Sequence, residues 1–313
     1  MVDGVVYVVD SIGTVHAIDA AAGTELWRAE MSFEPAVPVT PLVAGGVVYN
    51  LDGVQLHALD RASGTELWTV TIENSGGGPT LAGNALLASG WGTVTSVDIG
   101  GGRGVARWTF TDQLLLDAGV TILDPAVAGG SVLAVEPWSA GAGSPALISL
   151  DGTTGTEQWR ADEIEGQLIV APVAVADGVA YAGGAEGSLG AFDITTGDLL
   201  WAADTGATVT SAPAIGGGLV IVGNTDGDVV AIDVASGAER WRYSAADVVA
   251  AAPSIAGDIV VLASQDGQVH GLDLASGQEL WSVASGGAPG GAPSVVDGAV
   301  YVTAGQDVVA YGQ

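Results

Sequence analysis

Asp273-Leu274-Ala275-Ser276-Gly277-Gln278-Glu279-Leu280-Trp281 is one copy of a phrase that the chain repeats from end to end, and Asp193-Ile194-Thr195-Thr196-Gly197-Asp198-Leu199-Leu200-Trp201 is another. Seven Asp/Trp pairs share this layout, usually eight residues apart: Asp19/Trp27, Asp60/Trp68, Asp98/Trp108, Asp151/Trp159, Asp193/Trp201, Asp233/Trp241 and Asp273/Trp281. A glycine stands four residues before the Trp at Gly23, Gly64, Gly155, Gly197, Gly237 and Gly277, and the third copy carries a two-residue expansion around Gly102. Successive tryptophans lie 41, 40, 51, 42, 40 and 40 residues apart, which is the length of a propeller blade.

Residues 211–243 show what one period contains. A short extended run, Ser211 to Ile215, ends at Gly216-Gly217-Gly218. Leu219 to Val222 is an apolar run closed by Asn224-Thr225-Asp226-Gly227, a turn signal. Val229 to Ile232 is stopped by Asp233-Val234-Ala235-Ser236-Gly237, and Ala238 to Tyr243 carries Trp241. These are four short strands, A to D, joined by turns too tight for a parallel crossover. No stretch combines sustained helical periodicity with caps, so the chain reads as all-β. Cut at its turns, it divides at approximately 1–31, 36–73, 76–112, 122–163, 168–206, 208–246, 248–286 and 289–313. The first unit opens inside strand A, because Met1-Val2-Asp3-Gly4 aligns with Val295-Val296-Asp297-Gly298, and the last ends on strand C. The expectation is a single domain, an eight-bladed β-propeller of four-stranded antiparallel blades with both terminal blades incomplete.

Each repeated residue has a structural reason. An Asp side chain accepts from backbone N–H groups two or three residues on and so nucleates the C–D turn. The Gly supplies positive φ. The Trp follows on strand D, where a large ring can bury apolar area against the neighbouring blade, and seven exposed indoles would be an aggregation liability.

The phrase Ala/Ser-x-Asp-x-x-Thr/Ser-Gly-x-x-x-Trp resembles the tryptophan-docking repeat of the pyrroloquinoline quinone (PQQ)-like repeat β-propellers, over nearly the whole chain. That family holds both quinoprotein dehydrogenases and a non-enzymatic, BamB-like branch, so the fold does not choose between them.

Composition narrows the partners. The chain has no Lys and only seven Arg against 36 Asp and Glu, for a net charge of −29. Phosphate would be repelled, so nucleic acid is not expected, and anionic membrane surfaces are disfavoured for the same reason. No apolar run reaches the ~18 residues of a spanning helix. No signal peptide is visible at the start, and zero Cys rules out disulfides and thiolate metal sites.

Departures from the repeat mark where a site could lie. If A is the inner strand, the D–A and B–C connections share one face, and the A–B and C–D turns the other. The irregular segments fall on the first face: a long D–A connection from Thr111 to Asp124, and an enlarged B–C loop from Glu136 to Pro145. Trp91 and Trp138, the two tryptophans outside the docking series, also sit at B–C turns. Loops carry function more often than scaffolds, so Trp91, Asp112, Asp117, Glu136 and Trp138 form the candidate binding face. Asn224, Asp226, Asp228 and Asp266 read as turn formers before they read as a cation loop.

The three histidines, His16, His57 and His270, occupy one strand-C position in three different blades, which points to a structural role. No Gly-x-Ser-x-Gly, His-Glu-x-x-His or phosphate-binding loop is present. By the resemblance, a quinoprotein dehydrogenase would need a calcium shell, a catalytic Asp and cations against the quinone, and many carry vicinal Cys. With neither Cys nor Lys, and with every Arg on or near strand D, PQQ and calcium are not expected. The expected function is a non-catalytic scaffold of the cell envelope, a monomer that binds a protein or peptide partner. The alternatives are an extracytoplasmic ligand-sensing domain of a larger receptor, such as a bacterial Ser/Thr kinase, and a PQQ-dependent dehydrogenase.

Overall fold

The computed structural model describes residues 2–10, 12–31, 40–72, 76–137, 145–287, 289, 291–296, 298–304 and 307–311. The architecture is an all-β, eight-bladed β-propeller of mostly four-stranded antiparallel blades. Contacts divide the chain into two compact units, Met1–Ser144 with Ile148–Gln158, and Pro145–Leu147 with Trp159–Gln313.

In the first unit, blade one is the three-stranded sheet Val5–Val9, Val15–Asp19 and Glu25–Ala29. Val2 forms an isolated bridge with Val5 at the inner edge of this sheet. Blade two runs Leu42–Ala44, Val47–Leu51, Gln55–Asp60 and Glu66–Thr71. Blade three runs Thr80–Ala82, Ala85–Gly90, Thr93–Asp98 and Val105–Thr111. The fourth sheet is Ala126–Ala128, Ser131–Glu136, Ala146–Asp151 and Glu157–Ala161.

The second unit opens with a hairpin, Glu163–Ile164 with Gln167–Leu168, that the repeat does not foreshadow. Blade five follows as Ala174–Ala176, Val179–Gly183, Ser188–Asp193 and Leu199–Asp204. Blade six is Ala214–Gly216, Leu219–Gly223, Asp228–Asp233 and Glu239–Ser244. Blade seven is Ser254–Ala256, Ile259–Ala263, Gln268–Asp273 and Glu279–Ala284. Blade eight has three strands, Ser294–Val296, Ala299–Ala304 and Asp307–Tyr311.

Strands A of successive blades neighbour one another within each unit, which makes A the inner strand. In blades two to seven strands B and C are buried on both faces, so Val229-Val230-Ala231-Ile232 is an unbroken apolar run instead of an alternating one. Strand D is the outer, half-exposed one. In blades one to three and five to seven its register against C slips by one residue just before the Trp, as between Ala231 and Ile232 or Ala17 and Ile18. The bulged residue is thrown outward, which leaves Leu26, Leu67, Leu200 and Leu280 about half exposed while the Trp beside each points inward.

The repeated phrase does what its chemistry dictates. Asp151 Oδ1 accepts the N–H groups of Thr153 at 3.0 Å and Thr154 at 2.8 Å, and Asp60, Asp193 and Asp233 close their turns in the same way. At Asp60 the Ser63 hydroxyl and then these N–H donors, and at Asp151 and Asp193 the N–H donors first, hold the docking carboxylates below their ordinary range. At Asp233 the Arg240 guanidinium adds to the Ser236 hydroxyl and N–H, and the pKa falls to about 2.

Six of the seven docking indoles then reach into the next blade. Trp27 Nε1 donates to the Arg61 carbonyl at 2.9 Å, Trp108 to Gly152 at 3.1 Å, Trp159 to Ile194 at 2.9 Å, Trp201 to Val234 at 3.0 Å and Trp241 to Leu274 at 2.9 Å. The acceptor is always the residue after the docking Asp. The ring lies flat on the docking glycine of that blade, so Gly277 serves twice: its φ is +70°, and a Cβ there would sit 2.5 Å from Trp241 Cδ2. In the expanded third turn the glycine beneath the preceding indole, Trp68, is Gly104, four residues before Trp108. Gly102 supplies only the positive φ.

Candidate partner-docking face

Backbone hydrogen bonds establish which connections share a face. C–D turns are stitched to A–B turns: Arg61 N–H donates to Gly46, Ile99 to Asn84, Val234 to Gly218 and Leu274 to Asp258. B–C turns are stitched to D–A connections, as Thr225 N–H donates to Thr208 and Gln265 to Val248. The second face is where blade three departs from its siblings.

Its D–A connection contains a short helix, Gln113–Ala118. Asp112 caps the helix, its Oδ1 accepting from Leu114 N at 2.9 Å and Leu115 N at 3.1 Å. Gly119 ends it in the left-handed region at φ 66°, with N–H bonds from Gly119 to Leu116 and from Val120 to Leu115. Asp117 accepts from Gln113 Nε2 at 2.6 Å, one turn back. Asp112 and Asp117, two of the three acidic members of the predicted face, therefore shape this helix.

The helix is pinned to the Trp91-Gly92 turn. Gly92 N–H donates to the Val120 carbonyl at 2.8 Å, Asp112 N–H to Gly92 at 2.7 Å and Ile122 N–H to Gly90 at 2.9 Å. Trp91 forms a bridge with Thr121. Gly92, at φ +57°, lies so close to the Asp112 carbonyl and the Leu116 amide that no side chain fits there. Leu115 is buried beneath, while Trp91 (45%) and Leu114 (57%) stay exposed above. Below the connection, Asp124 Oδ1 accepts from Gly78 N–H at 3.0 Å and from the Ser89 hydroxyl at 3.2 Å.

Of the predicted face, Trp91, Asp112 and Asp117 thus come together on one platform, and Leu114 joins them. Glu136 does not present itself to a partner, because strand B of blade four buries it at 2% exposure. Trp138 lies outside the described residues. The turn residues behave as turn formers: Asn224 Oδ1 accepts from Asp226 N at 3.0 Å and Asp228 N at 2.9 Å, and Asp266 Oδ1 from Gln268 N at 2.8 Å.

The histidines are wedged between carboxylates in blades one, two and seven. His57 Nε2 lies 2.8 Å from Asp52 and its Nδ1 2.9 Å from Glu66, with His57 and Asp52 each 1% exposed. His16 sits between Asp10 at 3.1 Å and Glu25 at 3.8 Å. His270 lies 3.9 Å from Asp266 and 3.5 Å from Glu279. Tyr243 O–H shares the last carboxylate, and burial, followed by that hydrogen bond, pushes its pKa well above the ordinary value. The partners occupy opposite ring nitrogens, so they share no point at which a metal could bind. Among the described residues no three His, Asp or Glu side chains converge on a metal site.

The profile of the family described as "Outer membrane protein assembly factor BamB" matches residues 1–55, 52–172 and 147–313. The chain belongs to the BamB family. Among solved structures, BamB from Moraxella catarrhalis is 23% identical, with a TM-score of 0.78 over 99% of this chain and 91% of that one. The computationally designed Ika8 protein is 19% identical, with a TM-score of 0.82 over 100% and 94%. Quinohemoprotein alcohol dehydrogenase from Comamonas testosteroni is 17% identical, with a TM-score of 0.71 over 96% of this chain and 69% of its own. At these identities the likeness shows the fold, which this BamB-family chain shares with BamB, a designed protein and an alcohol dehydrogenase alike. No curated protein sequence matches it.

Proposed function

We propose that the chain is a non-catalytic docking scaffold of the cell envelope that holds a protein or peptide partner on its third blade. The observation that carries this reading is the exposed Trp91 and Leu114 on a platform fixed by two caps and three backbone hydrogen bonds. A rigid aromatic anchor beside an aliphatic one, rimmed by polar groups, is the anatomy of an interface hot spot. Family membership supports the placement, since the family is described as an assembly factor for outer-membrane proteins.

Catalysis with PQQ finds little support in the side chains. Strands A, which line the inside of each unit, carry no charged residue in blades two to eight. The seven arginines lie on strand D or on C–D turns, at the periphery. An anionic quinone with its calcium would therefore meet neither cations nor a carboxylate shell from the inner strands, and these residues do not fit it.

The test places a photoreactive amino acid at position 91 or 114 in producing cells, with position 84 on the opposite turn as control. A discrete adduct with one envelope protein is expected from 91 and 114 alone, lost from position 91 in Leu114→Asp and from position 114 in Trp91→Ala. Equal labelling from position 84, or dye-linked alcohol oxidation on adding PQQ and calcium, would refute the scaffold reading.

A further inference from the structure

A proline opens strand A of every blade from the second onward, and the residue before it is Thr40 in blade two, Gly78 in blade three and alanine in blades five to eight. In blade four it is Asp124, which alone in that series carries a charge. Its Oδ1 accepts from the Gly78 N–H at 3.0 Å and at 3.2 Å from the hydroxyl of Ser89, itself fully buried. The repeat does not need this pair. Ser89 opposes Val94 on strand C, just as Gly183 opposes Leu189 and Gly223 opposes Val229. A Cβ on Gly183 would meet Val209, and one on Gly223 would meet Val249. Blades five and six thus close with aliphatic groups the contact in which blade three sets a hydroxyl against a carboxylate.

Solvent reaches Asp124, yet enclosure by the protein pushes its pKa up in spite of the Ser89 and Gly78 hydrogen bonds. Among the described residues no cation pairs with it. Apolar surface flanks it on both sides. The neighbouring strands A of blades three and four expose their central side chains, Leu81 and Val127, whereas the remaining strands A keep that residue half-buried. The bond to Gly78 sets Asp124 at the head of both strands, three residues before Val127 and beside the residue three before Leu81. In the other direction Thr121, three residues back, bridges to Trp91, so about 10 Å of extended chain separates Asp124 from the exposed indole's turn. A lone carboxylate between apolar surfaces attracts a cation more strongly than one in open water, and on a chain of net charge −29 it selects a basic partner. A metal ion would lack ligands, since no three His, Asp or Glu side chains converge among the described residues.

We propose that Asp124 is the specificity-determining residue of the third-blade face, and that the partner segment docked on Trp91 and Leu114 delivers an arginine or lysine to it. This inference rests on the docking reading above and adds the chemistry of the partner: an extended segment with an aromatic or aliphatic residue about three positions from a basic one. Trp91 and Leu114 supply the apolar anchor. The Gly78 N–H and the Ser89 hydroxyl hold the carboxylate in place, so the ion pair forms without reordering it. Acid weakens the recognition, because a protonated Asp124 offers the incoming cation no charge.

Two probes, acetyl-Phe-Gly-Gly-Arg-amide and acetyl-Arg-Gly-Gly-Phe-amide, cover both chain directions. Each is titrated into the 1–313 chain while NMR follows the Trp91 indole N–H and the Gly78 amide. One direction should move both resonances saturably. Replacing its arginine by the neutral isostere citrulline should weaken binding by about tenfold. In Asp124→Asn, which keeps an acceptor for Gly78 and Ser89, the arginine and citrulline probes should bind alike. Raising the pH from about 4 to about 7 should tighten the arginine probe, as Asp124 ionises, and leave the citrulline probe unchanged. Equal affinity of the two probes for the unaltered chain, a preference that survives Asp124→Asn, or no binding in either direction would overturn the inference. A photoadduct from position 91 that persists in any of those cases leaves the docking reading intact. An arginine preference that is lost in Asp124→Asn but survives Trp91→Ala would support Asp124 as the site and count against the platform.

Discussion

Gly277→Ala tests the docking geometry more sharply than removal of any tryptophan. Gly277 has φ +70°, and an added Cβ would stand 2.5 Å from Cδ2 and Cε3 of Trp241. That ring cannot step aside cheaply. It is 8% exposed, packed in a cluster with Leu219, Ile221, Val260 and Leu272, and tied by Nε1 to the Leu274 carbonyl at 2.9 Å. Gly257, in the A–B turn of the same blade, has a similar φ of +57° but nothing within 4 Å of its ideal Cβ. Gly257→Ala should therefore cost only the left-handed penalty, about 1–2 kcal/mol. Gly277→Ala should cost that, the overpacking, and much of the indole hydrogen bond, about 3–6 kcal/mol in all. Urea unfolding followed by far-ultraviolet circular dichroism reads both at a fixed pH and salt concentration. Combining Gly277→Ala with Trp241→Ala closes a cycle, because without the ring the glycine should fall back to the Gly257 cost. Equal costs at the two glycines, or a Gly277 cost undiminished in the Trp241→Ala background, would refute the reasoning.

Four further outcomes follow. Asp60, Asp98, Asp151, Asp193, Asp233 and Asp273 have folded pKa values below the ordinary one, so their stabilisation is complete above the unfolded value of about 4 and is lost as pH falls through the folded values. The stability gap between the chain and Asp273→Asn should accordingly close as pH drops below about 4, and a gap constant from neutral pH down to about 2 would contradict this. His57→Ala strands Asp52 at 1% exposure and should cost about 3–5 kcal/mol in the same urea assay, against far less for His16→Ala, whose carboxylate partners are open to solvent. Asp112→Ala removes a helix cap and should lower hydrogen-exchange protection at Leu115 and Leu116 by about tenfold, with global stability down by about 1 kcal/mol. The net charge of −29 makes the melting temperature rise between low salt and about 1 M, and a flat profile would discount self-repulsion as a cost to the fold.

The blades were legible because one local rule recurs with a fixed spacing. The Asp that closes each turn, the Gly that permits it and the Trp that follows act within nine residues, so a reader of sequence sees the whole device. Gly104 was hidden because the two extra residues of the third turn separate the role of positive φ, taken by Gly102, from the role of lying beneath an indole. The helix Gln113–Ala118 was hidden because six residues are too few to show a period, although Asp112 and Gly119 are its two stop signals in plain view. Glu136 looked exposed by its place next to a loop, yet strand B, buried on both faces, carries its last residue inward.

Trp281 marks the limit of such reading. Its phrase is as regular as any in the chain, with Asp273, Gly277 and an eight-residue spacing, and nothing local separates it from Trp241. The two differ only in what stands in the following blade. Leu274 and Gly277 await Trp241, and Trp281 in its turn faces the blade-eight strands across an apolar cavity lined by Val300, Ala310 and Tyr311. A docking residue is therefore half of an interaction, and its partner is set some 30 residues further along the chain.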